Sequence, residues 1–291
     1  MAHKAGYVNI IGEPNVGKST LVNALLGEKL VITNPKAQTT RHRILGILNG
    51  DEHQLVLSDT PGILEPQYKL QKRMMHAVDE AITDADILVM LVELGQTPER
   101  SELLLKRAAR FDGTKMLLVN KIDTGDQVKV AEALQRWQEA LPGVKVAAIS
   151  ALHGFNIDDL RAWLIAQLPE HPPFFPKDDL SDRDQRFFVS ELIRQHVLAQ
   201  FKQEVPYSTQ VVVNSFEEAE DIVRIQADVI VMRESQKGIL IGQGGAALRR
   251  LGTAARKDIE AFVGNKVFLD LKVKVDPDWR EDEKKLRNYG Y

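Results

Sequence analysis

Gly12-Glu13-Pro14-Asn15-Val16-Gly17-Lys18-Ser19-Thr20 sets four residues between two glycines and follows them with Lys and Ser, a spacing suited to holding a polyphosphate. A loop that wraps phosphates must turn successive backbone N–H groups inward, and a Cβ at Gly12 or Gly17 would obstruct that turn. The helix that follows adds unpaired N–H donors and the positive end of its dipole. The Lys18 ammonium can reach the β- and γ-phosphates, and the Ser19 hydroxyl can ligate Mg²⁺. Alone, the motif implies a nucleoside triphosphate and leaves the base open.

Two later stretches narrow the chemistry. Asp59-Thr60-Pro61-Gly62 offers a carboxylate for Mg²⁺, through a water, and a Gly62 N–H for the γ-phosphate. Taken singly, Asp followed by Thr-Pro-Gly is also good turn chemistry. Asn120-Lys121-Ile122-Asp123 decides the base. A carboxylate placed like Asp123 accepts from both N1–H and the exocyclic amine of guanine; adenine lacks that donor pair, and an unmet buried carboxylate is costly. Asn120 would brace the loop and approach the base's other edge, with the Lys121 stem over the ring. The backbone N–H groups of Ser150-Ala151-Leu152 could donate to guanine O6.

These stretches need strands to present them. Ala5–Ile11, Ile44–Asn49, Leu55–Ser58, Ile87–Val92, Lys115–Val119 and Val144–Ile149 read as strands; helices are expected at Leu21–Leu26, Met74–Thr83 and Arg100–Phe111. Each motif follows a strand in this alternation, which implies a mainly parallel sheet with ligands at the carboxyl ends. The absence of cysteine excludes disulfides and thiolate metal sites, and suits a reducing cytoplasm. The longest apolar run, Ile87 to Val92, is strand-sized, and Met1–Lys4 leads into a strand without room for a signal peptide. With a net charge of −3, nucleic-acid binding would need a local patch. Trp137, Trp163 and Trp279 are expected to pack rather than to act.

Together these boxes resemble the G-domain of small GTPases. The resemblance adds Thr40, in the aperiodic loop Val31–Arg43, as a Mg²⁺ ligand; Thr39 competes for the role, and Thr40 is preferred because it directly precedes Arg41. Ile63 departs from the Ras-like pattern, where a Gln would orient the attacking water. Related GTPases with an apolar residue there can use K⁺ held partly by a P-loop Asn, a position that Asn15 matches. The resemblance thus implies catalytic roles for Lys18, Thr40, Gly62 and Asn15, metal ligation by Ser19, Thr40 and Asp59, and GTP/GDP, Mg²⁺ and K⁺ as cofactors.

His171-Pro172-Pro173-Phe174-Phe175-Pro176 breaks every periodicity, and proline stiffens it into an extended linker. This divides the chain into a nucleotide domain at 1–170, a linker at 171–180 and a second domain at 181–291. The second domain reads as helix Arg186–Phe201, strands Thr209–Phe216 and Asp221–Arg233, an apolar helical segment ending at Ile241, helix Ala247–Phe262 and strand Lys266–Val275. Gly242-Gln243-Gly244-Gly245 between two helices resembles the backbone clamp of a KH domain in its type II form, which grips about four single-stranded nucleotides. Alone it could be a helix-capping turn. From Arg233 to Lys274, nine basic residues face four acidic ones, including Arg249 and Arg250 beside the clamp, although the domain is neutral overall.

A G-domain joined to a KH domain resembles the Era family of bacterial GTPases, from Gly6 to Tyr291 and including Ala37-Gln38-Thr39-Thr40-Arg41. The expected fold is an α/β P-loop GTPase domain with a mainly parallel sheet, followed by an α+β KH domain. The resemblance implies a monomeric, cytoplasmic GTP-hydrolysing switch that binds the 3′ end of 16S-type ribosomal RNA, assists small-subunit assembly and touches the inner membrane peripherally. Ile63 leaves one alternative open, a GTP-binding RNA scaffold with negligible hydrolysis.

Overall fold

The structure, a computed structural model, describes residues 2–291; Met1, where the expected nucleotide domain starts, lies outside the described residues. The chain forms two compact units, the first running to Gln67 and from Gln71 to Asp182, the second comprising Tyr68–Leu70 and Arg183–Tyr291.

In the first unit the strands are β1 (Lys4–Ile11), β2 (Ile44–Asn49), β3 (His53–Asp59), β4 (Ile87–Glu93), β5 (Thr114–Asn120) and β6 (Lys145–Ala148). They form one sheet in the order β2-β3-β1-β4-β5-β6. β1 runs parallel to β3 and β4, and β4-β5-β6 continue in parallel; only the β2–β3 hairpin is antiparallel. Burial on both faces explains the unbroken apolar run of β4, whose residues from Ile87 to Val92 are all buried. The register sets Asp59 beside Ile10, and Asn120 beside Glu93, at the carboxyl edge. Every motif read from the sequence of this unit therefore emerges on one side of the sheet.

The helices are α1 (Lys18–Leu26), α2 (Lys69–Thr83), α3 (Glu102–Ala108), α4 (Gln127–Ala140) and α5 (Ile157–Gln167). α2 begins before the expected Met74, at Lys69. α3 is shorter than the expected Arg100–Phe111, since Ser101 Oγ donates to Thr97 O and closes a separate turn. α4 and α5 lie outside the sequence reading. α4 buries Trp137 within an otherwise largely polar sequence, so its period is faint. Its start was legible: the Asp126 side chain accepts from Lys129 N–H as an N-cap.

The proline-rich stretch is not a free tether. Gln54, fully buried in β3, accepts from the Phe174 and Phe175 N–H groups at 2.7 and 3.0 Å, and its amide donates to Phe175 O. Farther on, Ile47 N–H donates to Leu180 O and Ser181 Oγ to Leu45 O. Proline leaves few N–H donors in this stretch; one buried glutamine takes up two of those that remain. Residues 174–182 thus line the β2–β3 hairpin, and the long segment of the second unit begins at Arg183.

The second unit contains α6 (Gln185–Gln200), β7 (Gln210–Glu218), β8 (Val223–Val231), α7 (Glu234–Ile241), α8 (Ala246–Val263), β9 (Val267–Val275) and α9 (Glu283–Asn288). β7 pairs antiparallel with β8, and β8 parallel with β9. Val189, Ile193, Ile225, Val229, Leu251 and Ala255 bring one face of each of α6, β8 and α8 into a common core. α9, absent from the sequence reading, follows a turn in which buried Trp279 donates from Nε1 to Ser208 O.

Candidate functional site

The loop between β1 and α1 and the loop 33–40 enclose a cleft of ≈ 370 Å³. Gly17 adopts φ 101°, and a Cβ there would lie 2.4 Å from the Asn120 amide nitrogen, so only glycine fits. Asn15 also holds a left-handed conformation, φ 67°, at the cleft wall. Lys18 opens α1 and is buried; its Nζ donates to Gly12 O at 3.1 Å and Glu13 O at 2.9 Å, spanning the loop. Burial pushes its pKa down to about 8, against the opposing pull of Asp59 and Glu13. An arriving polyphosphate would favour the charged form further.

Three oxygens meet on the other wall. Ser19 Oγ donates to Asp59 Oδ2 at 2.8 Å, Thr40 Oγ1 donates to the same oxygen at 3.0 Å, and the two hydroxyls lie 3.0 Å apart. Two hydroxyls and one carboxylate suit Mg²⁺, which takes few protein ligands and completes its shell with water and phosphate oxygens. Among the described residues no cluster of three His, Cys, Asp or Glu exists that would suit another metal. The geometry separates the two threonines: Thr39 Oγ1 points into its own loop, donating to Lys36 O at 2.6 Å. Of the remaining residues in Asp59–Gly62, Gly62 lines the cleft, while Thr60 and Pro61 are buried. Thr60 Oγ1 donates to Ile10 O, so it anchors the loop rather than facing a ligand.

At the end of β5, the Asn120 amide donates to Val16 O at 2.8 Å and accepts from Ala151 N–H at 3.0 Å. It ties the phosphate loop to the 150–155 loop, and both ends of the amide are engaged in that brace. Lys121 lines the cleft with Nζ on Glu93. Asp123 accepts from Ser150 Oγ at 2.6 Å, and that hydrogen bond holds its carboxyl below the usual range. It therefore stays an anion that can only accept, as guanine requires. The expected trio of N–H donors is reduced: Ala151 N–H serves Asn120, and Ser150 N–H pairs with Phe155 O. Leu152, on the cleft wall, carries the remaining one. The Ser150 hydroxyl thus holds Asp123, a contact that spacing did not disclose.

In the second unit, Gly242, Gly244 and Gly245 all have positive φ, and a Cβ on Gly242 would sit 2.7 Å from that of Ala247. The Arg249 guanidinium donates to Gly244 O at 2.5 Å. A cleft of ≈ 530 Å³ runs from Gly245 along α8 to β9, with Arg249 and Arg256 on its wall. Arg250 is not on that wall; it donates to Gln200 on α6. One residue of helix is a rotation of about 100°, whereas seven return to the same face. Arg256 thus shares the cleft wall with Arg249, while Arg250 faces α6.

A carboxylate fixed as an acceptor, a phosphate loop and a hard-cation oxygen set describe one class, a guanine-nucleotide GTPase; the second unit appends a KH module. Residues 7–121 match the family described as 50S ribosome-binding GTPase, and residues 204–280 the KH domain family. The chain is 43% identical to the GTPase Era of Geobacter metallireducens, covering 99% of this chain and 98% of that one. It is 44% identical to the chloroplastic GTPase ERA-like protein of Arabidopsis thaliana over 99% of this chain and 69% of the relative. A crystal structure of Era in complex with MgGDPNP and nucleotides 1506–1542 of 16S ribosomal RNA matches with TM-score 0.95 and 35% identity, covering 99% of each chain. The chain belongs to the Era family of GTPases.

Proposed function

We propose that this GTPase is a switch that binds single-stranded ribosomal RNA near the 3′ end of the small-subunit RNA and assists assembly of that subunit. The observation that carries this reading is the full-length likeness, both units at once, to an Era structure holding MgGDPNP and 16S ribosomal RNA. Residues 2–182 serve the nucleotide and residues 183–291 the RNA. Mg²⁺, when bound, neutralises charge developing between the β- and γ-phosphates. Ser19, Thr40 and Asp59 would hold it; Lys18 and the P-loop N–H groups would cradle the phosphates. Asp123 reads guanine, with Ser150 fixing its orientation.

RNA would lie with its sugar-phosphate backbone on Gly242–Gly245 and its bases toward the cleft between α8 and β9. Arg249 and Arg256 supply positive charge along that path. Loop 31–41, which carries Thr40, is the segment whose order would report the γ-phosphate. A monomeric state, a cytoplasmic location and peripheral contact with the inner membrane belong to the same reading and rest on the family resemblance. No helix among the described residues is long and apolar enough to cross a membrane.

Two measurements test the nucleotide half. Asp123→Asn replaces one acceptor by a donor, so GTP should bind more weakly and xanthosine triphosphate more tightly, by about 10-fold or more in relative affinity. Unchanged GTP affinity would show that Asp123 does not read the base. K⁺ is the second point: Asn15, left-handed at the cleft wall, would help hold K⁺ as a counter-charge to the transition state. Replacing K⁺ by Na⁺ should slow hydrolysis by the parent chain, and Asn15→Ala should remove the difference. Equal parent rates in both salts would exclude the K⁺ role.

A further inference from the structure

GTP hydrolysis needs a group that orients the attacking water, and the position following Gly62 cannot provide one. The Ile63 side chain is 2% exposed, and its backbone N–H donates to Gly12 O at 2.9 Å. A water-orienting side chain must both accept and donate, which a carboxamide does. Among the described residues on the cleft wall, three carry one: Asn15, Asn34 and Gln38. Asn15 lies on the phosphate loop itself. Asn34 Oδ1 accepts from Lys36 N–H at 3.0 Å, which folds its side chain back on the loop.

Gln38 differs in two ways. It lies two residues before Thr40, whose hydroxyl is 3.0 Å from Asp59, so the same short segment brings both residues to the cleft wall. It also holds φ 59°, a left-handed conformation that costs free energy for any residue bearing a Cβ. Gly, Asn or Asp would hold this turn at lower cost. Strained backbone of this kind gathers at functional sites, where a side chain is wanted despite the turn. The feature that distinguishes Gln from Asn is reach: the same carboxamide, one methylene farther out.

We propose that Gln38 positions the hydrolytic water at the γ-phosphate, an inference that rests on the GTP-hydrolysing reading of this cleft. Its carboxamide oxygen accepts from the water and its N–H₂ donates to a γ-phosphate oxygen. The water oxygen bonds to the γ-phosphorus, and the bond from that phosphorus to the β–γ bridging oxygen breaks. GDP leaves with the bridging oxygen and its electron pair; the proton released by water passes to the phosphate product. Gln38 is unchanged, and no further reactant is needed. A cation near Asn15 offsets charge, a different task from aiming the nucleophile.

The test uses the full chain, loaded with Mg²⁺ and GTP, and two variants that the turn tolerates. Gln38→Gly relieves the left-handed strain and deletes the amide; Gln38→Asn keeps the amide but shortens it. Both should bind GTP within about twofold of the parent while single-turnover hydrolysis falls at least ~10-fold. Both should also lose affinity for GDP in aluminium fluoride, which mimics the transferring phosphoryl group, while keeping affinity for GDP alone. Parent-like hydrolysis by Gln38→Gly would reduce Gln38 to a loop residue. A rate loss matched by an equal loss of GTP affinity would assign it to ground-state binding and overturn the proposal. A parent chain that binds GTP without turning it over would overturn the hydrolytic reading itself, and Gln38's role with it.

Discussion

Lys18→Ala is expected to lower single-turnover GTP hydrolysis by at least ~10²-fold. The ammonium is buried at the first turn of α1 and fixed by two carbonyls of the loop it must serve. Its position therefore requires no reorganisation when phosphate arrives, the condition under which a charge acts most strongly on a transition state. Removal has two consequences. The β/γ-phosphates lose their nearest buried cation, and the Gly12 and Glu13 carbonyls lose a donor. The folded state need not suffer in proportion, because burial already disfavours this charge in the ligand-free protein. Circular dichroism and thermal unfolding should therefore show a folded chain with little turnover. Near-parent phosphate release from such a chain would remove the P-loop assignment.

The second large effect is expected on RNA. Gln243→Asp with Gly244→Asp should weaken binding of a single-stranded small-subunit 3′ segment by about 10²-fold, since like charges at close range cost several kcal/mol. The loop can accept both changes. Gln243 is exposed, no heavy atom lies within 4 Å of a Cβ built on Gly244, and Asp tolerates the φ of 56° there. The new carboxylates would repel phosphate and draw the Arg249 guanidinium away from the RNA path. GTP affinity, set in the first unit, should stay unchanged. Neutralising Arg249 or Arg256 should act more mildly, each lowering the log–log salt slope by about one unit or less, with Arg250 weaker than either. Parent-like RNA affinity in the folded double variant would leave Gly242–Gly245 as a helix-capping turn.

The residues that were legible in the sequence are those that covalent spacing forces into place. Gly12–Ser19, Asp59 and Asn120–Asp123 each follow a strand, and a parallel sheet leaves strand ends on one edge. Choices between neighbours were harder. Thr39 and Thr40 differ by one position, and only the closure of loop 34–40 turns the first to Lys36 O and the second to Asp59. Arg249 and Arg250 pose the same problem on a helix, although the phase from Gly245 through Gly252 to Arg256 was there to be counted. Long-range complements left no local trace. Gln54, just outside the expected strand Leu55–Ser58, carries no signal in sequence that its amide meets Phe174 and Phe175. Ser150, expected to offer its N–H to guanine O6, gives no sign in sequence that its hydroxyl holds Asp123. α4 escaped because little but Trp137 is buried along it.

The central claim is that one chain joins GTP hydrolysis to recognition of a particular RNA. Ultraviolet crosslinking of the GTP-loaded, full-length chain to cellular RNA, followed by sequencing of the RNA and mass mapping of the attached peptide, tests it most directly. Reads should gather at the 3′ end of the small-subunit ribosomal RNA, with crosslinks on residues between Gly242 and Phe268. Reads scattered over unrelated transcripts, or crosslinks confined to residues before Arg183, would contradict it.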